Sequence, residues 1–131
     1  MPQSLPKPGV FRHNSSSTTL GRFELALKVA DVNVSLAFYR KLGFQWAGGD
    51  TKDGIVVVQN GACRIALFQG YLAENLLNFV GGDVSTIAGQ LQAAGVEFTK
   101  PPFTDATGKT TALLRDPDGN AIYLGFYPDK D

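Results

Sequence analysis

The sequence predicts an α+β fold made of two tandem βαβββ modules, and three observations carry that prediction. Segments of strict apolar/polar alternation recur along the chain. Two helical stripes share one frame: Asp31-Val32 to Gly43 and Asp83-Val84 to Gly95 are separated by the same number of residues. The chain has 131 residues, 44% of them hydrophobic, which suits one domain or two small halves packed together. Repetition at one period points to duplication. One unit alone leaves an apolar face uncovered; two side by side bury both helices against a curved sheet.

The elements follow in order. Residues 1–22 hold Pro2, Pro6, Pro8, the run Ser15-Ser-Ser-Thr-Thr19 and no acid, and read as a flexible or surface-draped arm. From residue 23 the domain begins, with module one at about 23–70 and module two at about 74–127. Residues 23–29 alternate, with Phe23, Leu25, Leu27 and Val29 on one face, as in a half-buried strand. Asp31 then caps a helix whose stripe is Val32, Leu36, Tyr39 and Leu42, and Gly43 stops it. Strands are expected at 44–48, 55–60 and 62–69, broken by the turn residues from Gly48-Gly49 to Gly54 and by the hairpin signal Asn60-Gly61. Module two repeats this with a strand at 75–80 and a helix capped by Asp83 and striped by Val84, Ile87, Ala88, Leu91 and Ala94. A short strand at 96–98, a loop from Pro101-Pro102 to Gly108, and strands at 110–115 and 120–127 complete it.

Composition excludes several classes. Lys plus Arg and Asp plus Glu both number 12, so the net charge is zero and a nucleic-acid binder relying on bulk positive charge is not expected. No run of about 18 apolar residues offers a membrane span. The single cysteine, Cys63, makes no internal disulfide or cysteine-rich zinc site, reads as inert, and is compatible with a reducing compartment such as the cytoplasm. The one histidine, His13, lies in the arm, so a histidine-based triad or metal centre would need the arm folded back over a site. The basic, acid-free arm lacks the apolar face of a transit segment and the apolar stretch of a secretory signal. Phosphate-loop, dinucleotide-binding, zinc-protease and hydrolase-elbow motifs are missing.

Val29-Ala-Asp-Val32, Ser35, Phe38-Tyr39, Leu42-Gly43-Phe44, the turn Asp116-Pro-Asp-Gly-Asn120 and Ile122-Tyr-Leu124 together resemble the vicinal oxygen chelate superfamily. That group includes glyoxalase I, extradiol dioxygenases and bleomycin-binding resistance proteins. The resemblance covers about residues 23–127 and implies a cupped, mixed sheet with both helices on its outer face. In metal-dependent members four strand positions facing the cup hold a divalent metal; the resemblance places them on Glu24, Ala66, Leu76 and Tyr123. Only one of these binds a metal strongly, and catalytic zinc sites use three protein ligands. The resemblance therefore implies a cup without a metal cofactor.

Alternation independently says what the cup contains. With Phe23, Leu25, Leu27, Val29, Ile65, Leu67, Leu77, Phe79, Ile122, Leu124 and Phe126 turned to the helices, the opposite face shows Glu24, Ala26, Lys28, Arg64, Ala66, Phe68, Leu76, Asn78, Val80, Tyr123 and Tyr127. An apolar hollow with a few polar groups is what a small-molecule site looks like. Ligand contacts are expected from Trp46, Arg64, Phe68, Asn78, Tyr123 and Tyr127. Glu24 is the candidate catalytic group, a polar anchor or general base, or else half of an ion pair with Lys28, Arg64 or another basic neighbour. Arg64 clamps an anion or stands as an edge charge; Trp46 and Phe68 stack on a ring or simply pack.

The function these readings favour is binding of a small organic molecule without a metal, for sequestration, sensing or resistance. Two other classes stay open: a metal-dependent enzyme of glyoxalase or dioxygenase type using Glu24, and a structural dimerisation unit. The resemblance also implies a homodimer.

Overall fold

A computed structural model describes residues 19–128 of the chain. Residues 1–18, and with them His13 and most of the expected arm, lie outside the described residues, as do residues 129–131. The chain forms β1 (Gly21–Val29), α1 (Val32–Lys41), β2 (Gln45–Asp50), β3 (Ile55–Asn60), β4 (Cys63–Gln69), β5 (Leu76–Gly81), α2 (Val84–Ala93), β6 (Phe98–Thr104), β7 (Thr110–Arg115) and β8 (Ala121–Phe126), with a short 3-10 turn at Thr51–Asp53. It is an α+β fold, and the βαβββ order occurs twice.

All eight strands join one sheet in the order β2-β3-β4-β1-β5-β8-β7-β6. β1 pairs parallel with β4, and β5 pairs parallel with β8. The modules meet where β1 and β5 pair antiparallel, from Gly21 opposite Gly81 to Ala26 opposite Leu76. α1 packs on β3 and β4, and α2 on β6 and β7.

Local chemistry sets both helices. The Asp31 carboxylate accepts from the amides of Asn33 and Val34, and that of Asp83 accepts from the Thr86 amide and hydroxyl. Each helix ends before a glycine at positive φ, Gly43 at 100° and Gly95 at 91°, a conformation that a side chain makes costly. Between α1 and the sheet Val32 packs with Val56, Val58, Ile65 and Leu67, and between α2 and the sheet Val84 and Ile87 pack with Ala112, Leu114 and Leu124. Burying such a side chain contributes roughly 1.5–3 kcal/mol. The alternation read from the sequence thus places Ile65, Leu67 and Leu124 correctly. Phe23 and Phe126 differ: they remain 47% and 37% exposed and join neither cluster, although the Phe23 ring meets Phe79 at 5.3 Å between centroids.

Three boundaries depart from the expectations. β1 starts at Gly21, so Gly21 and Arg22 belong to the sheet and not to the arm, and Leu20 already packs against the second core. β2 continues through Gly48-Gly49 to Asp50, with a bulge between Trp46 and Gly48, where a turn was expected. The expected loop at Pro101-Pro102 is part of β6, and the expected strand at 96–98 starts only at Phe98. β6 is an edge strand paired only with β7, and its register shifts between Lys100 and Phe103, across both prolines. A residue that donates no backbone hydrogen bond is tolerated in that place.

Candidate functional site

The centre of the cup face is a polar row running across the strands. Gln59 stands opposite Arg64, Glu24 opposite Asn78, and Asn78 opposite Tyr123. Arg64 closes the gap between β4 and β1: its Nε donates to Glu24 Oε2 at 3.1 Å and its Nη1 to Gln59 Oε1 at 2.8 Å. The side chains of Arg64 and Glu24 are 28% and 14% exposed, so this ion pair is largely shielded from water. Of the alternatives that the sequence left open for Glu24, the pair with Arg64 is the one the structure forms.

Beside this row lies a hollow of about 370 Å³. Ile55, Val57, Ala66, Phe68 and Val80 give it apolar walls; Arg22, Glu24, Asn78 and Tyr127 supply the polar groups. Both modules contribute. The Tyr127 ring folds over Gly125, where a Cβ would come within 3.0 Å of its Cε2 and hydroxyl. The missing side chain at Gly125 is what lets the ring lie there. Burial, together with the neighbouring Tyr123 and the Glu24 charge, pushes the Tyr127 phenol up to about 12. Lys109 Nζ lies 5.3 Å from the centre of the same ring. Asn78 is only 8% exposed, and its Oδ1 is buried without a hydrogen-bond partner.

The predicted site residues divide accordingly. Glu24, Phe68, Asn78 and Tyr127 line the hollow, as does Ala66. Arg64 and Tyr123 stand outside the lining, Arg64 bonded to Glu24 and Tyr123 opposite Asn78 in register. Trp46 stands apart. It pairs with Val58, whose side chain is in the core, so it lies on the helix-facing side of β2; there it is 55% exposed and its Nε1 donates to the Gly49 carbonyl. Sequence reading missed Arg22, Ile55 and Val57. Arg22 continues the alternation of Glu24 back by one step, and Ile55 and Val57 alternate with the buried Val56 and Val58.

The four positions that the resemblance assigns to metal ligands do not form a chelating set. Ala66 and Leu76 offer no donor atom, and the Glu24 carboxylate is engaged by Arg64. Leu76 lines a separate groove with Glu74 and Gly119, beside the Glu74–Arg115 pair. Among the described residues no three of His, Cys, Asp and Glu gather closely enough to hold a metal ion. The donors among the described residues at these positions therefore fall short of the three protein ligands of a catalytic zinc site.

A family model described as the Glyoxalase/Bleomycin resistance protein/Dioxygenase superfamily matches residues 21–124, and the chain belongs to that family. Similar solved structures show the same fold. A glyoxalase/bleomycin resistance protein/dioxygenase superfamily member from Vibrio splendidus 12B01 superposes with a TM-score of 0.60 at 15% identity, over 80% of this chain and 97% of that one. A hypothetical protein from Bacillus halodurans C-125 gives 0.64 at 16%, over 88% and 99%. A protein from Legionella pneumophila described as an NAD-dependent benzaldehyde dehydrogenase gives 0.67 at 16%, over 80% and 98%. A search of curated proteins finds no match. Among the described residues no helix is long and apolar enough to cross a membrane.

Proposed function

We propose that this chain binds a small, largely apolar organic molecule in the cup without a catalytic metal, as a sequestration, sensing or resistance protein. The observation that carries the reading is the hollow itself: apolar walls from five side chains, four polar side chains among them, and a carboxylate already paired with Arg64. Such a site holds an organic ligand by burying its apolar surface and orients it with few hydrogen bonds. Glu24 is poorly placed to abstract a proton from a ligand, since its Oε2 already accepts from the Arg64 guanidinium. The same reading has the protein act as a homodimer in the cytoplasm, which rests on the resemblance and on the lone cysteine Cys63.

Thermal melting with nickel, zinc, iron(II) and manganese, with and without chelator, tests this together with elemental analysis of the purified protein. We expect a flat response and no stoichiometric metal. A stoichiometric metal that disappears in Glu24→Ala would overturn the reading in favour of a metal-dependent glyoxalase or dioxygenase type of enzyme.

A further inference from the structure

We infer that the ligand of the cup carries an uncharged hydroxyl group, and that Asn78 is the residue that selects it. This rests on the cup being the binding site. Asn78 sits at the centre of the polar row, more than nine-tenths buried, and lines the hollow. Among the described residues its Oδ1 has no donor. The neighbours that flank it in register cannot supply one. The Glu24 carboxylate is an acceptor held by Arg64, and the Tyr123 hydroxyl makes no hydrogen bond to Oδ1. A buried acceptor left without a donor is costly, and native proteins seldom carry one without a use.

The charge around the site says what kind of donor is wanted. Glu24 is matched by Arg64, and Arg22 adds a positive charge on the hollow's wall, so an ammonium group finds no spare anion there. A carboxylate has no proton to donate. A hydroxyl donates to Oδ1, and it also accepts from Nδ2 if the amide is turned by half a rotation, so it suits either setting of the carboxamide. The apolar remainder of the ligand then rests on Val57, Ala66, Phe68 and Val80. This is discrimination by an unpaired polar group: the analogue that lacks the hydroxyl leaves Asn78 buried and unsatisfied.

Two probes of nearly one shape test the inference: 2-naphthol and 2-fluoronaphthalene, titrated into the full chain and followed by the backbone amide NMR signals of Glu24, Ala66, Asn78 and Val80. We expect both to shift those signals, with 2-naphthol bound about tenfold more tightly, the ratio that one neutral hydrogen bond to a buried acceptor supports. In Asn78→Leu, close in volume to the native residue, the ratio falls to about one and the protein melts no lower than the parent. Equal binding by the parent, or a ratio that Asn78→Leu leaves unchanged, overturns the role of Asn78 while the cup stands as a binding site. An Asn78→Leu protein that melts far below the parent or fails to fold shows the amide to be structural and also overturns it. If neither probe moves the cup signals, the cup reading falls and takes the inference with it.

Discussion

Glu24 and Arg64 show how burial decides the worth of an ion pair. Their 3.1 Å contact lies beneath the cup surface, whereas the Glu74–Arg115 pair stands in water with side chains 44% and 36% exposed. Exposed pairs contribute little because solvent screens them and ordering the side chains costs entropy. Removing one member of a shielded pair also strands the other. A double-mutant cycle with Glu24→Gln and Arg64→Met should therefore give a coupling of about 1–2 kcal/mol in urea unfolding. A coupling near zero would mean that Glu24 is free for another role. Tyr127 titrates by a related logic. Its phenol is raised from 10.0 to about 12, first by burial. The folded protein thus keeps a proton that the unfolded chain releases, so this contribution to stability is complete below pH 10 and is lost as pH rises towards 12. Tyr127→Phe should lessen that alkaline loss. Gly125→Ala puts a methyl group into the ring's place and should bring the phenol down towards its ordinary value in an ultraviolet pH titration. An unmoved titration would show that the ring does not depend on Gly125.

At the scale of elements, what was legible was what is local. Asp31 with Gly43 and Asp83 with Gly95 bracket the two helices because caps and stops act within a turn or so of the chain. Alternation likewise placed Glu24, Phe68, Asn78 and Tyr127 on one face, since the period of a strand is fixed by its own backbone. What escaped depends on partners distant in sequence. The prolines of β6 look like a loop until the strand is known to lie at the sheet's edge. The glycines of β2 look like a turn until their pairing with β3 is seen, and the bulge beside Trp46 is part of what keeps that residue out of the cup. β3 reads as an unbroken apolar run, Ile55 to Val58, because both of its faces are apolar, so nothing in the pattern says which residues meet the ligand. Arg22 was hidden by the arm's composition, not by its own position. The Arg64–Glu24 pair was foreseeable only as one choice among Lys28, Arg64 or another basic neighbour, because the parallel register of β1 and β4 is set by tertiary packing.

At the scale of the molecule, each module has its own core but not its own stability. β1 lies between β4 and β5, so parting the modules would strip the backbone partners from Gly21–Ala26 and Leu76–Gly81 together. Unpaired strand edges are costly, and chains of this size generally unfold in one step. The hollow enforces the same coupling functionally: Glu24, Ala66 and Phe68 come from one module, Asn78, Val80 and Tyr127 from the other. Two core substitutions test this with a single reporter. Trp46, the one tryptophan, belongs to module one, while Leu124 lies 1% exposed in the core of module two and Leu67 fully buried in that of module one. Leu67→Ala and Leu124→Ala should each cost about 2–5 kcal/mol. Both should move the urea transition seen by Trp46 fluorescence, and each should coincide with the transition seen by circular dichroism. If Leu124→Ala leaves the Trp46 transition where it was and splits the circular dichroism curve in two, the modules are independent folding units. A ligand bridging them would then have to hold the cup together with its own binding energy; in a single cooperative unit it meets a cup already assembled, and only its contacts decide the affinity.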